Sequence, residues 1–304
     1  MYLRLSHLLI FMLSTLVYIT FSYDNNQTVL LVNLNLVPNV EADLGSARTV
    51  IESDENGVLI VDYHGVQRKV YNPLTVASGG LIYYADYLKD KDKEQSKDKF
   101  ISSADWLVKS ANNKGEYSLL EYEYPWKFYG WISPPYSSAL AQAKGLQVLT
   151  LAYELTGNEK YLDAAKKIIR SFFVDYDEGG FVTYEGIGNN SLFLHILAKP
   201  GFQKTYVLNG HTQSLLSIWS YYEKTKDPLA KTIFDKGINY LKENLVKYDT
   251  GYWSNYDLME NWTMRDYQKG QIQQLKALYQ ISHEPILQNY AEIFEKYLKY
   301  SSLE

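Results

Sequence analysis

The sequence predicts an all-α protein, an (α/α) toroid of about four helical hairpins with a small N-terminal β hairpin in front of it. Three observations support this prediction. Apolar residues recur at helical spacing after residue 73, and short turns of similar composition recur between paired helices. Before residue 73, apolar and polar residues alternate as in strands. An open α-solenoid is the alternative arrangement of such hairpins.

The first 22 residues have the pattern of an export signal. Arg4 and His7 precede an apolar stretch over residues 8–21, which is short for a membrane-spanning helix of roughly 20 residues. Ser22 and the residue two before it are small, as a signal peptidase requires, so we expect residues 1–22 to be a signal peptide or a signal anchor. The sequence therefore predicts a secreted or extracytoplasmic protein, bound to a membrane only through an uncleaved N-terminal segment.

A small β segment is predicted over residues 23–72. Alternation of apolar and polar residues is clearest from Val58 to Tyr63. His64-Gly65 then offers a turn into a second alternating run that ends at Tyr71, so we expect a hairpin here. The exposed edge of this segment is a candidate contact surface for a homodimer.

The helical domain is predicted over residues 73–304. Four segments carry apolar residues at spacing i, i+3, i+4, i+7, which gives each one buried helical face. These segments are Ala104–Ala111, Ala165–Phe172, Leu215–Tyr222 and Leu287–Phe294. Asn158 and Asp227 are expected N-caps, and Pro228 and Pro285 suit the first position of a helix. The second helices are therefore expected to begin near residues 95, 159, 228 and 285.

Three long connections alternate with the short turns, over residues 112–136, 174–207 and 246–263. They are rich in Gly, Pro, Tyr and Trp. Each joins a second helix to the next first helix, so we expect all three at one end of the array. Connections of this length inside a compact domain are usually functional, which predicts a cleft at that end.

Composition excludes several classes of function. The chain has no cysteine, which excludes disulfides and thiolate metal sites, and its five histidines show no helical ligand spacing. It contains no glycine-rich phosphate loop, so we expect no cofactor and no metal. The net charge of -5 is mixed in sign without a basic stripe, which argues against a nucleic-acid partner.

Aromatic and polar residues are concentrated in the long connections and at the helix starts beside them, and the chain has 29 tyrosines. Tyr and Trp rings stack on the CH faces of sugars, whereas amides and guanidinium groups hydrogen-bond hydroxyls and carboxylates. We therefore predict a sugar-binding cleft, with simple packing of the loops as the alternative. The substrate-binding candidates are Tyr136, Gln142, Asn209, His211, Tyr248, Trp253 and Arg265.

Several short motifs occur in the order found in one enzyme family. They are Tyr71-Asn72-Pro73, Ala104-Asp105-Trp106-Leu107, Pro134-Pro135-Tyr136-Ser137 with Ala141-Gln142, Val207-Leu208-Asn209-Gly210, Tyr248-Asp249-Thr250-Gly251 with Tyr256-Asp257-Leu258, and Asp266-Tyr267. In these motifs the chain from about residue 72 onwards resembles the C-terminal domain of the D-glucuronyl C5-epimerase family. The resemblance implies an (α/α) toroid and the epimerisation of D-glucuronate to L-iduronate within a uronate-containing polysaccharide.

The resemblance also implies catalytic roles for Tyr267 and Tyr256, which occupy positions of the family's active-site tyrosines. Tyr267 would be one acid–base group, and Tyr256 would assist it. Inversion at carbon 5 needs a proton to leave from one face and another to return to the opposite face. Because the ordinary pKa of tyrosine is ~10, a tyrosine base needs a cationic neighbour, and Arg265 is the candidate.

The stretch before Val207 departs from the family. Where the family has an aromatic and acidic motif with a glutamate, this chain reads Leu192–Pro200 without a carboxylate. The candidates for a replacement acid–base group are His195, Lys199 and the earlier Glu185.

Two glutamines mark a second departure, because Gln268 and Gln271 stand where the family usually has His. Two alternative functions therefore stay open beside the epimerase. A uronate polysaccharide lyase begins with the same proton abstraction, and a non-catalytic extracellular carbohydrate-binding protein would keep only the cleft.

Overall fold

The computed structural model describes residues 18–24, 27–33, 49–63, 67–90, 92–127 and 129–300. Eight helices lie in these ranges and follow one another as four pairs, so the predicted all-α class with four helical hairpins, the repeat of an (α/α) toroid, is confirmed. The pairs are α1 (Pro73–Leu88) and α2 (Lys93–Ser110), α3 (Ala139–Thr156) and α4 (Glu159–Ser171), α5 (Leu208–Thr225) and α6 (Pro228–Asn244), and α7 (Arg265–Ser282) and α8 (Pro285–Tyr300).

Short turns join the two helices of each pair, and their caps determine where the second helices begin. The Asp227 carboxylate accepts a hydrogen bond at 2.9 Å from the backbone N–H two residues later, and the Asn158 side chain does the same at 3.2 Å. Pro228 and Pro285 occupy the first positions of α6 and α8. The predicted caps and proline positions are confirmed.

Two separate β structures precede α1. β1 (Tyr18–Asp24) and β2 (Gln27–Asn33) form an antiparallel hairpin. β3 (Thr49–Ser53), β4 (Leu59–Tyr63) and β5 (Gln67–Val70) form an antiparallel sheet in that order, which confirms the predicted hairpin as β4–β5. Residues 1–17 of the predicted export signal and the turn at residues 64–65 lie outside the described residues, and cleavage after Ser22 stays a prediction.

Three further β hairpins lie inside the long connections, which are observed where the sequence predicts them. The hairpins are β6 (Asn112–Asn113) with β7 (Ser118–Leu119), β8 (Trp126–Lys127) with β9 (Trp131–Ile132), and β10 (Val182–Glu185) with β11 (Ser191–Leu194).

Across the part of the chain that the structure describes, no helix is both long and apolar enough to cross a membrane.

The chain divides into two compact units. Of the described residues, the first unit contains those up to residue 137 together with residues 144–168, and the second contains residues 138–143 and 169–300. Two of the three boundaries pass through helices, so α3 and α4 each contribute residues to both units. The predicted helical domain over residues 73–304 stays a prediction.

The β sheet of the first unit is fastened to the start of α1. The Asn72 amide donates to the Tyr63 hydroxyl on β4 at 3.0 Å, and its oxygen caps the first two free N–H groups of α1. β4 packs on α1, and a Cβ on Gly79 would collide with the Leu59 side chain. Glycine at this position therefore leaves room for the Leu59 side chain against the helix.

Lys144, in the second turn of α3, is a fully buried lysine of the first unit. Its Nζ has no hydrogen-bond partner among the described residues. Burial lowers the pKa of Lys144 from 10.5 to about 8, because the charged ammonium is poorly solvated inside the protein. A buried and unpaired amine destabilises the folded state.

We predict that Lys144→Met raises the free energy of unfolding at pH 7. The unfolded chain binds the proton more tightly than the folded one, so the stability of the wild type falls as pH decreases from about 10.5 to about 8 and stays low below that. The lowered pKa corresponds to roughly 3 kcal/mol. Urea unfolding between pH 7 and pH 10 checks this, with the exposed Lys109→Met as the control that should change stability little. A buried-site variant less stable than the wild type at pH 7 would contradict it.

Candidate functional site

Two long connections of the second unit meet at the start of α5. They cover residues 172–207 and 245–264, between the helices on either side. The backbone N–H of Leu208 donates to the carbonyl of Tyr256 at 3.0 Å. A second backbone hydrogen bond, of 3.2 Å, joins the same connections from Leu258 to Thr205. These bonds place Tyr256 beside the first turn of α5.

Tyr256 and Tyr267 form the centre of the candidate site. Their ring centroids are 6.2 Å apart and their planes meet at 86°, an edge-to-face contact. The two side chains are 2% and 6% exposed. Burial, and then the charge of Tyr267, raises the pKa of Tyr256 well above 10. Tyr256 therefore keeps its proton at neutral pH and is available as a hydrogen-bond donor.

Asp257 explains why the motif Tyr256-Asp257-Leu258 turns as it does. One carboxylate oxygen accepts from the backbone N–H groups of Met259 and Asn261 at 2.8 and 3.2 Å, and the other accepts from the Asn261 amide at 2.8 Å. These bonds close a tight turn after Tyr256. They lower the pKa of Asp257 less than burial raises it, so the net direction is upward.

A set of buried glutamines fixes α7 beneath this loop. The Ser254 hydroxyl lies 2.8 Å from the Gln268 amide oxygen and 3.0 Å from the Gln271 amide oxygen. Gln268 also donates to the Phe294 carbonyl of α8 at 3.0 Å. The loop before Tyr267 is therefore joined to both helices of the last pair. These hydrogen bonds also hold Tyr267 in place, because it lies in the first turn of α7.

Asn209 lies in the first turn of α5, one residue after the N–H that binds Tyr256. It is half-buried, and its side-chain oxygen has no hydrogen-bond partner within the described ranges. Glycine at the next position leaves room for the Ile196 side chain, which a Cβ on Gly210 would displace. The motif Val207–Gly210 thus brings a free amide oxygen to the same place as the tyrosine pair.

His211 is held by the main chain on both sides of its ring. The Leu194 backbone N–H donates to Nδ1 at 3.2 Å, and Nε2 lies 3.2 Å from the Gly237 carbonyl. Because Nδ1 accepts, the proton is on Nε2. Burial lowers the pKa of His211 to about 3. The ring therefore joins β11, α5 and α6, and neither nitrogen is left for a ligand.

His195, directly after β11, is buried and neutral. Its Nε2 lies 3.0 Å from the Thr183 hydroxyl, and its Nδ1 has no hydrogen-bond partner in the described part of the chain. Burial first, and then the charges of Lys204 and His211, lowers the pKa of His195 well below 6.5. Its side chain also packs edge-on against the Tyr206 ring at 4.9 Å.

The other two candidate replacement groups lie in the same connection. Glu185 ends β10 and is half-buried, and it lies near the Tyr206 hydroxyl. Burial and this carboxylate both raise the pKa of Tyr206. Lys199 is half-buried as well. Glu185 and His195 thus both lie beside Tyr206.

Tyr248 and Trp253 hold the loop that carries Tyr256. The Tyr248 hydroxyl donates to the Tyr206 carbonyl at 2.8 Å, and the Trp253 indole N–H donates to the Thr263 carbonyl at 2.6 Å. The hydroxyl of Tyr248 and the indole N–H of Trp253 are therefore hydrogen-bonded to backbone carbonyls. In both cases the ring supports the site through its packing.

Arg265 lies in the first turn of α7, and Gln142 lies in the first turn of α3. Arg265 is exposed, and its guanidinium lies 3.5 Å from the Leu298 carbonyl near the end of α8. It precedes Tyr267 by two positions, so the two side chains leave α7 in different directions. Gln142 is fully buried in α3. Their predicted substrate contacts stay predictions.

Tyr136 belongs to the first unit. It is 2% exposed and stacks on Tyr122, with ring centroids 4.9 Å apart and planes at 10°. The two residues also form an isolated antiparallel bridge. In its own unit Tyr136 is a packed aromatic residue, and its role in binding stays a prediction.

Gln213 and Gln274 were missed by sequence reasoning. The Gln274 amide donates to the Gln213 oxygen at 3.2 Å and links α7 to α5. Gln213 follows Asn209 by one helical turn, and Gln274 follows Tyr267 by two. This spacing was the available signal, because residues three, four or seven apart share one face of a helix.

The fold and the site together define the class of protein, a chain of helical hairpins whose candidate site lies where long connections meet the starts of the first helices. The family model described as D-glucuronyl C5-epimerase C-terminus matches residues 112–296, more than half of the chain. The chain belongs to this family.

Two related proteins are similar in sequence. A D-glucuronyl C5-epimerase of Caenorhabditis elegans is 29% identical over 219 residues, which cover 66% of this chain and 35% of that protein. An uncharacterized protein of Methanocaldococcus jannaschii is 29% identical over 223 residues, which cover 70% of this chain and 70% of that protein. The chain therefore spans about a third of the length of the nematode relative.

Solved structures with a similar arrangement include a GH76 alpha-mannanase of Bacteroides thetaiotaomicron. It has a TM-score of 0.47 and 16% sequence identity, over 73% of this chain and 60% of that chain. This similarity is too low to support an inference about activity.

We expect His211→Phe to lower the free energy of unfolding at pH 7 by roughly 2–3 kcal/mol, because it leaves a buried N–H and a buried carbonyl unpaired. The wild type loses stability as pH falls from about 6.5 towards about 3, since the unfolded chain binds the proton first. The variant lacks this loss. The difference in stability between the two proteins should therefore shrink by about 2 kcal/mol between pH 7 and pH 5. Urea unfolding measures it, and an unchanged difference would refute the neutral, backbone-bound His211.

Proposed function

We propose that this chain is a carbohydrate epimerase that inverts carbon 5 of a hexuronate, converting D-glucuronate to L-iduronate within a polysaccharide. The proposal rests mainly on one observation, the buried edge-to-face pair of Tyr256 and Tyr267. Membership of the D-glucuronyl C5-epimerase C-terminus family supports it, as does the nematode relative of that name.

The chemistry of carbon 5 explains what such a site must provide. The C–H bond lies next to the carboxylate, so removal of the proton leaves an electron pair that spreads onto the carboxylate oxygens. Return of a proton to the opposite face gives the epimer, and no other bond is broken. The site therefore needs an acid–base group on each face and hydrogen-bond donors at the carboxylate, where negative charge grows.

We assign the proton transfer on one face to Tyr267. It is the third residue of α7, and the positive end of the helix dipole favours negative charge in this turn. Tyr256 remains protonated because burial raises its pKa well above 10. Its hydroxyl therefore acts as a donor to the developing charge beside Tyr267.

The acid–base group of the opposite face is one of His195, Lys199 and Glu185. His195 is neutral and has an Nδ1 without a hydrogen-bond partner in the described ranges, whereas Glu185 is half-buried near the Tyr206 hydroxyl. Replacement of the correct residue should stop inversion while leaving exchange on the Tyr267 face.

We predict that the protein incorporates deuterium at carbon 5 when it is incubated with a glucuronate-containing polysaccharide in deuterated water. The chain length of the polymer should not change. Mass spectrometry and NMR of the product measure both quantities. A 4,5-unsaturated product, seen by its absorbance, would instead establish the lyase, and binding without either change would indicate a carbohydrate-binding protein.

We predict that Tyr267→Phe slows this exchange at least about 100-fold, the usual contribution of one acid–base group. Tyr221→Phe is the matched control. Tyr221 is also buried, and its hydroxyl donates to Asp227 at 3.0 Å at the other end of α5. The control should lose some stability and keep its exchange rate. Full activity of the Tyr267 variant would contradict the assignment.

A further inference from the structure

The facing sides of α5 and α7 are unusually polar for two packed helices. Gln274 of α7 donates to Gln213 of α5 at 3.2 Å, and its oxygen also accepts from the Thr212 hydroxyl. All three side chains are buried. These hydrogen bonds fix the two helices side by side with their polar faces together.

Besides the Ser217 hydroxyl, three buried side-chain amide atoms on these two helices have no hydrogen-bond partner among the described residues. They are the Asn209 side-chain oxygen, the Gln213 amide nitrogen and the Gln271 amide nitrogen. Each unsatisfied buried group costs about 1–3 kcal/mol, so native interiors contain few of them. Packing alone does not explain three of them on one pair of helices, whereas a polar ligand would satisfy all three.

On each of the two helices, the glutamine lies one turn beyond a residue of the candidate site. Gln271 follows Tyr267 by four residues, and Gln213 follows Asn209 by four. At 1.5 Å per residue, both glutamines lie about 6 Å further along their helices than Tyr267 and Asn209. This separation is comparable to the width of one sugar ring.

The chemistry of these atoms indicates the ligand group that they fit. The two amide nitrogens are donors, which match the two oxygens of a carboxylate. The Asn209 oxygen is an acceptor, which matches a sugar hydroxyl. The guanidinium of Arg265 is exposed beside the Leu298 carbonyl. We therefore favour the buried amides over Arg265 as the partners of the carboxylate.

We propose that Gln213 and Gln271 bind the carboxylate of the hexuronate and that Asn209 accepts a neighbouring hydroxyl. This proposal rests on the proposed function and names the groups that select a uronate over a neutral sugar. Gln271 stands where the resemblance leads one to expect a titratable histidine, so here the donor is a neutral amide.

The test compares two ligands that differ only in the carboxylate. One is a glucuronate-containing oligosaccharide, and the other is the same oligosaccharide with its carboxyl groups reduced to alcohols. We expect the wild type to bind the uronate at least about 10-fold more tightly, as measured by calorimetry. Gln271→Glu should remove this preference by like-charge repulsion with the carboxylate.

Gln273→Glu is the matched control, because it adds the same charge on the exposed side of the same helix. It should keep the preference. Circular dichroism shows whether each variant folds, and Gln213→Glu provides the same test if Gln271→Glu does not fold. A wild type without preference, or a Gln271→Glu variant that keeps it, would overturn the proposal.

The binding test addresses the glutamine site and the deuterium-exchange test addresses the epimerase, so either proposal can fail without the other. A carboxylate preference that disappears in Gln271→Glu supports this proposal even if no deuterium is incorporated. Deuterium incorporation together with an unchanged preference in Gln271→Glu supports the epimerase and refutes the glutamine site.

Discussion

The second unit depends on the hydrogen bond from the Leu208 backbone N–H to the Tyr256 carbonyl. The first N–H groups of a helix have no partner inside the helix, so they must find one elsewhere. At α5 this partner is a loop 48 residues further along the chain. This hydrogen bond satisfies the start of α5 and also places Tyr256 beside it. In that position the Tyr256 ring contacts Tyr267 on α7.

Polar side chains within the second unit serve two different purposes. His211, Gln268 and Ser254 have their polar atoms satisfied by neighbouring groups, and they join separate elements of the fold. Gln213 and Asn209 each retain one unsatisfied buried atom within the described residues. Satisfied networks stabilise a fold, whereas unsatisfied ones cost stability and are typical of places where a ligand binds.

Most of the helices could be predicted because their signals are local. Apolar residues at helical spacing defined each buried face, and Asp227, Pro228 and Pro285 set the helix starts as expected. In the first unit, the position of Lys144 could not be predicted, because full burial is not expected for a charged residue. Nothing adjacent in the sequence indicates that this amine is enclosed.

The candidate site was only partly predictable from sequence. The resemblance to the family identified Tyr256 and Tyr267. The aromatic and amide residues of the long connections and adjacent helix starts identified Asn209, but they also drew attention to His211 and Trp253. The structure shows that the ring nitrogens of these two residues bind backbone groups. Residue type indicates which hydrogen bonds a side chain can make, and only the surrounding chain decides which ones it makes.

The sequence by itself determined the helical hairpins, the places of the long connections and the family to which the chain belongs. These follow from periodicity, caps and motifs, which depend on residues close together in the chain. Tertiary structure alone decided that Tyr256 and Tyr267 meet edge to face, and that Gln213 and Gln271 keep unsatisfied amides on facing helices. Such contacts join residues that are distant in sequence, so their geometry depends on how the whole unit packs.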